Sequence, residues 1–306
     1  MEKEYITQNG TTLKKNKSIV QTHQKWPIQF VLIAVVILLI TFSMLPLGLT
    51  IINSTKTHLE VESNVFALPE GNIFQTIAHN YKYAWTHETY GIGKKFLPSI
   101  GIALIGAFFE TAISAALAYI LCFKDFYFKR LVFMFFISIL LVPSIIGYPV
   151  LTPLVKNFLH LGGKLDYIGF LLPMIGGCQV GGMFLFKTFF GQQPKSLYEC
   201  ARIEGCSDFE IFFKITIPLS LPIILYYAVG AFSAVYNNFL WSSLILTGDH
   251  INIMNTMYNV TDAIKANNES GAVYAMYMIS TIPLIFTTAI SMKFFKGGEF
   301  AAGLKL

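Results

Sequence analysis

The chain has 306 residues, 54% of them hydrophobic and 13% charged, with a net charge of +5 and a mean hydropathy of +0.58. A soluble domain carries roughly a quarter charged residues, so most of this chain is expected to face something other than water. The basic residues are not gathered into a stripe, which argues against a nucleic-acid-binding surface.

Residues 1–26 are polar and basic and read as a loose cytoplasmic tail. Six apolar runs follow, near 27–52, 97–123, 131–154, 167–190, 220–247 and 272–295. Each is long enough for a hydrocarbon core, which takes about 20 residues. The expected fold is all-α and integral to a membrane, with six transmembrane helices over residues 27–306. The first run exceeds the roughly 7–15-residue apolar core of a cleaved signal peptide, and no A-x-A site follows it, so it reads as a retained anchor. With the N-terminus inside, 15 of the 22 Lys and Arg residues fall in inside segments. The positive-inside rule then places both termini in the cytoplasm.

The outside loop, residues 53–96, is too long for a simple hairpin between spans. Within it Ile73, Phe74, Ile77, Tyr81, Ala84 and Trp85 recur at helical spacing, which predicts an amphipathic helix on the membrane surface. The second span carries a small residue at every fourth position (Ser99, Ala103, Ala107, Thr111, Ala115), widened by Gly106, Ser114 and Ala118. Such a stripe lets helix backbones approach closely. Glu110 lies within it, and two readings stay open. It is a substrate or proton-relay ligand, or a neutral acid hydrogen-bonded between helices. No second convincing acid accompanies it, which disfavours a proton-coupled transporter. The third span ends in VPSIIGYPVLTP, where Pro143, Pro149 and Pro153 interrupt the helical ladder. Irregular backbone at that depth is tolerated only against protein or a water-filled cavity.

No catalytic or metal-binding set emerges. The six histidines are scattered through tails and outside loops. YGIGKK at 90–95 fails as a phosphate-binding loop, because Glu88 stands where the first glycine is needed and Lys95 where a hydroxyl is. Cys200 and Cys206 lack paired zinc spacing, and the four cysteines read as small packing residues. The fifth span concentrates Tyr226, Tyr227, Tyr236, Asn237, Asn238 and Trp241. Aromatic faces with amide groups suit a sugar, whereas the plainer reading is bonding between helices and interfacial anchoring. On one continuous helix Asn237 and Trp241 would share a face and Asn238 would turn about 100° away. Tyr236, Asn237, Trp241 and Glu110 are therefore the candidate substrate path.

Between the fourth and fifth spans, residues 191–219 form a long charged inside loop, most of it in the stretch YECARIEGCSDFEIFFKITIPLSLP, residues 198–222. It reads as two short helices hinged at Gly205. It resembles the EAA loop of the membrane subunits of binding-protein-dependent ABC importers, E-A-A-x-x-x-G followed by I-x-L-P. Glu199-Cys200-Ala201 stands for E-A-A, Gly205 falls at the required spacing, and Ile215-Thr216-Ile217-Pro218 matches the end. Cys200 replaces the middle alanine and Ile217 the leucine. The resemblance implies that Glu199, Cys200, Ala201, Gly205, Ile215 and Pro218 couple the chain to a cytoplasmic ATPase, with small Ala201 permitting close docking. Pro218 and Pro222 would help to start the next span.

From about Phe66 to the C-terminus the chain is similar to the carbohydrate branch of that family, in particular its maltose-type second permease. PSIGIAL at 98–104, LLVPSIIGYPVL, LGGKLDYIGFLLP, YNNFLWSSLI at 236–245 and KFFKGGEFAAGLKL carry this likeness. It implies a type I ABC importer permease fold with a core unit of residues 95–295, in a bacterial-type plasma membrane. It further implies a second homologous permease, a dimer of ATPases that uses the ATP, an extracytoplasmic solute-binding protein, and no cofactor on this chain. The solute expected is an oligosaccharide. A non-sugar solute on the same scaffold is the alternative, and a membrane enzyme or scaffold protein the remote one.

Overall fold

The computed structural model describes residues 6–8, 11–13 and 26–296. The chain divides into two compact units, residues 1–48 and 49–306. In the first, β1 (Ile6–Gln8) and β2 (Thr11–Leu13) pair antiparallel with Ile6 opposite Leu13, so part of the tail expected to be loose is a short hairpin. Helix α1 (Trp26–Ser54) begins in this unit and is apolar around its whole circumference, as a lipid-facing helix is.

The second unit is a helical bundle. After α1 come α2 (His58–Ser63), α3 (Ile73–Thr86), α4 (Gly93–Phe123), α5 (Lys129–Leu140), α6 (Tyr148–Pro153) and α7 (Asp166–Phe190). They are followed by α8 (Lys195–Ile203), α9 (Asp208–Ile211), α10 (Ile217–Leu219), α11 (Leu221–Tyr236), α12 (Phe239–Ile245), α13 (Ile253–Ala266) and α14 (Ser270–Lys296). Among the described residues four helices are long and apolar enough to cross a membrane: Ile28–Ser54, Gly93–Phe123, Asp166–Phe190 and Ser270–Met292. Two helix pairs bend sharply at a short break, Lys129–Leu140 with Ser144–Phe158 at 92° and Asp208–Leu219 with Leu221–Tyr236 at 82°, and the number reaches six only where each pair is counted as one span.

Helix α4 is the centre of the bundle. It packs against α7 on one side and α11 on another, and the small-residue stripe is what meets them. Ser99, Ala103, Ala107, Thr111, Ala115 and Ala118 are all buried. Gly182 on α7 shows how close the approach is, since a Cβ there would lie 2.5 Å from the Tyr227 ring and 2.6 Å from Ser114 Oγ. The third span breaks where the prolines require it. Helix α5 stops at Leu140, a 3₁₀ turn spans Ser144–Gly147, and a π turn follows Pro153 over Leu154–Phe158.

Two expectations are corrected here. The amphipathic helix α3 forms, capped by Asn72, but its Asn80 and Ala84 face is buried and packs against α14. Phe74 and Trp85 stay exposed. The fifth span is not one helix. It stops at Tyr236 and restarts at Phe239, because Asn238 accepts a hydrogen bond from Trp241 N at 3.0 Å and caps the new helix. Asparagine side chains compete with the helical ladder in this way and favour caps. With 16 residues, α11 is about 24 Å long, short of a hydrocarbon core of about 30 Å.

Candidate functional site

The loop between the fourth and fifth spans is two short helices on a glycine hinge. Helix α8 ends at a left-handed residue, Gly205 at φ +81°, and Cys206 N–H donates to Ala201 O at 3.0 Å, closing the turn by the Schellman bond. Only glycine takes that backbone conformation without cost. Ser207 then starts α9 with a capping box, its hydroxyl receiving the Glu210 N–H while Glu210 accepts from Ser207 N. Lys214 also donates to Glu210, at 2.8 Å. These bonds, the one from Lys214 foremost, lower the Glu210 carboxyl to about 2.

The hinge is braced on its inner side. Tyr198 and Ala201 of α8 are buried with Ile211 and Phe190, and the Tyr198 ring stacks on Phe123 at 4.1 Å. Gln193 accepts from the Tyr198 hydroxyl and donates to Ser220 Oγ at 2.8 Å. Lys124, just past the end of α4, pairs with Asp208 and holds its carboxyl below the usual range. Arg202 reaches Phe123 O at 3.4 Å. The second span and the loop are thus tied into one piece.

Glu199, Cys200, Glu204 and Pro218 are all exposed, as are Ile203 at 85% and Phe209 at 72%. Ile215 is half-buried. Ala201 is 5% exposed and faces the protein's own core, where its small size seats α8. Pro222 stands in the first turn of α11 and Pro218 in the short α10 before the 82° bend.

The candidate path residues are dispersed. Tyr236 is 2% exposed and donates to Ser280 O at 3.0 Å. Trp241 is 1% exposed, with Nε1 donating to Phe170 O at 2.9 Å. Glu110 is 3% exposed and accepts from the Tyr227 hydroxyl at 2.6 Å. Asn237, at the end of α11, is exposed. The helix break abolishes the shared face expected for Asn237 and Trp241. Asn238 caps α12 and points Nδ2 at Met174 Sδ of the neighbouring α7, 3.9 Å away.

Sequence reasoning missed one clasp. Asp166, fully buried at the start of α7, receives Thr247 N at 3.0 Å and Thr247 Oγ1 at 3.2 Å, and lies 2.6 Å from His250 Nδ1. It fixes the loop leaving α12. No local spacing signals a pair separated by 84 residues.

A bundle of broken and unbroken spans with a braced, outward-facing helical hinge defines a multi-pass membrane transport component. Residues 110–297 match the family described as binding-protein-dependent transport system inner membrane component, and the chain belongs to it. It is 26% identical over 262 residues to the diacetylchitobiose uptake system permease protein NgcG of Streptomyces coelicolor, covering 84% of this chain and 82% of the relative. It is also 26% identical over 234 residues to the trehalose/maltose transport system permease protein MalG of Thermococcus litoralis, 76% of this chain and 82% of the relative. Among solved structures, a bacterial ABC transporter involved in import of the acidic polysaccharide alginate superposes with a TM-score of 0.73 at 18% identity. That match covers 90% of this chain and 100% of the other.

Proposed function

We propose that this chain is a permease subunit of an ATP-driven importer for an oligosaccharide or related sugar, acting beside a second, homologous permease. The reading is carried by the glycine-hinged segment Glu199–Pro218, exposed at Glu199, Glu204 and Pro218 and braced against α4 through Lys124–Asp208 and Tyr198–Phe123. A push on the loop is thereby passed to the span at the centre of the bundle. The sugar assignment rests on the named substrates of the relatives. ATP is bound and hydrolysed by a dimer of partner ATPases, an extracytoplasmic binding protein delivers the solute, and this chain binds no cofactor. Closure of the ATPases draws the coupling loops together and biases a two-state bundle towards its outward-facing form.

In this reading residues 95–295 are the core permease unit, the loop 191–219 and both termini are cytoplasmic, and Asn237 is the residue of the fifth-span set that faces the route. Uptake of labelled oligosaccharides by proteoliposomes holding the assembled complex tests it. ATP-dependent uptake of a glycan supports the reading, and uptake of only a peptide or an inorganic ion overturns the sugar assignment. Labelling of a cysteine placed at Ser18 from outside intact cells would overturn the topology.

A further inference from the structure

A basic cleft of about 460 Å³ lies where three helices end on the side of the coupling loop. Helix α4 stops at Phe123, α5 starts at Lys129 and α7 stops at Phe190. Lys129 and Arg130 of α5 and Lys187 of α7 line it, with Leu121 and Phe133 as an apolar wall. Lys187 Nζ sits 4.3 Å from the Phe133 ring centroid, which holds the ammonium over the wall by a cation–π contact. Lys129 has a carboxylate partner, Asp125 at 3.1 Å. Among the described residues neither Arg130 nor Lys187 is paired with one.

The charge order of α5 is the reverse of what its dipole favours. Its first turn holds two cations and no acid, and no side chain caps it, whereas a helix N-terminus favours negative charge. An anion seated between Arg130 and Lys187 removes both deficits. The depth of the cleft says which anion. Phe126, Tyr127 and Phe128, immediately before α5, are exposed at 40%, 93% and 76%. A tyrosine beside span ends, here Tyr127, marks the headgroup level of a bilayer, and basic pockets between spans on the cytoplasmic side suit anionic lipid headgroups.

We propose that this cleft binds the headgroup phosphate of an anionic phospholipid of the cytoplasmic leaflet, with Arg130 and Lys187 as its ligands. The leaflet, and the cytoplasmic side used to argue for an anionic lipid, rest on the topology proposed above; the basic cleft itself does not. The test is a titration of the assembled complex, in neutral maltoside detergent, with dioleoylphosphatidylglycerol, following Tm. Phosphatidylglycerol should raise Tm and dioleoylphosphatidylcholine should not. With each cation near an anionic lipid contributing about a factor of five, Arg130→Gln with Lys187→Gln should weaken the apparent affinity about 25-fold, while Lys187→Arg keeps it. If the double variant does not assemble, Arg130→Gln alone, at an exposed position, should weaken it about fivefold. An undiminished response in these variants overturns the site. An equal rise with inorganic phosphate makes it a general anion site and overturns the lipid assignment, and loss of the ATPase from the double variant makes it a protein-docking site. Detergent removes sidedness, so the topology fails separately: labelling of a cysteine at Asp125 from outside intact cells would overturn the leaflet alone.

Discussion

The Tyr227 hydroxyl donates to Glu110 Oε1 at 2.6 Å, joining the second span to the fifth across 117 residues. The other oxygen, Oε2, has no hydrogen-bond partner among the described residues. Glu110 thus depends on one donor for its place in a bundle interface. Of the two readings open from the sequence, the geometry favours the acid bonded between helices. Tyr227→Phe should lower stability by about 1–3 kcal/mol, because it strands a buried carboxyl. Adding Glu110→Met should recover part of the loss, since it removes the stranded carboxyl itself. Thermal unfolding of the purified complex measures the cycle; equal losses in single and double variants would refute the dependence.

Gly205 is expected to be intolerant for backbone reasons alone. A Cβ there would meet nothing within 4 Å, yet φ is +81°. Gly205→Ala should therefore cost about 1–2 kcal/mol in the hinge, and a β-branched Gly205→Val more. Transport should fall while membrane insertion is kept. Normal co-purification with the ATPase and normal uptake by both variants would remove the hinge from coupling.

Glu60 makes a pH prediction. Its carboxylate caps Thr57 N at 2.7 Å and accepts Glu70 N at 2.8 Å and Gly71 N at 3.1 Å. These backbone donors, Thr57 first, lower it from 4.5 to about 2. A carboxyl lowered on folding contributes stability that is fully present above its unfolded value and is lost as pH falls through the folded one. The order of the loop from Thr57 to Gly71 should thus persist down to about pH 4.5 and decline towards pH 2. Glu60→Gln should loosen the loop at neutral pH and flatten the dependence. Hydrogen exchange of the Glu70 and Gly71 amides reads both effects.

The sequence made legible whatever is local. The stripe from Ser99 to Ala115 announced a close-packed helix, Gly205 a hinge, and Pro143 and Pro153 a broken span. Periodicity failed at Asn237–Asn238, where an apolar run hides a cap that costs little to form and ends the helix. The signal was present, an asparagine three residues before the amide that it caps. Ala201 shows another limit: a small residue looks the same in sequence whether it seats a helix on its own core, as Ala201 does here, or admits a partner. Contacts such as Asp166–His250 and Tyr227–Glu110 were out of reach, because no pattern in one chain specifies which distant polar groups meet.

The end of α1 provides the last prediction. The Asn80 amide on α3 donates to Ser54 O and to Lys56 O, both at 2.9 Å, and all three residues are buried. The last carbonyls of a helix have no partner within it, so one side chain serves two groups that water cannot reach. The Lys56 ammonium turns the other way and donates to Asn64 O at 2.8 Å and Val65 O at 3.3 Å. Asn80 therefore fixes the chain leaving α1, and Lys56 folds the following loop back onto it. Asn80→Ala should strip two carbonyls and cost about 2–3 kcal/mol, given about 1–3 kcal/mol for each buried group left unpaired and some relaxation. Lys56→Met should release residues 64–65 with a smaller loss, since it also removes a buried charge whose desolvation opposes folding. Limited proteolysis of the loop from Thr57 to Gly71 distinguishes the two, with faster cleavage in both variants and a fall in Tm that is larger for Asn80→Ala. Wild-type cleavage rates in both would show that this loop is held by other contacts.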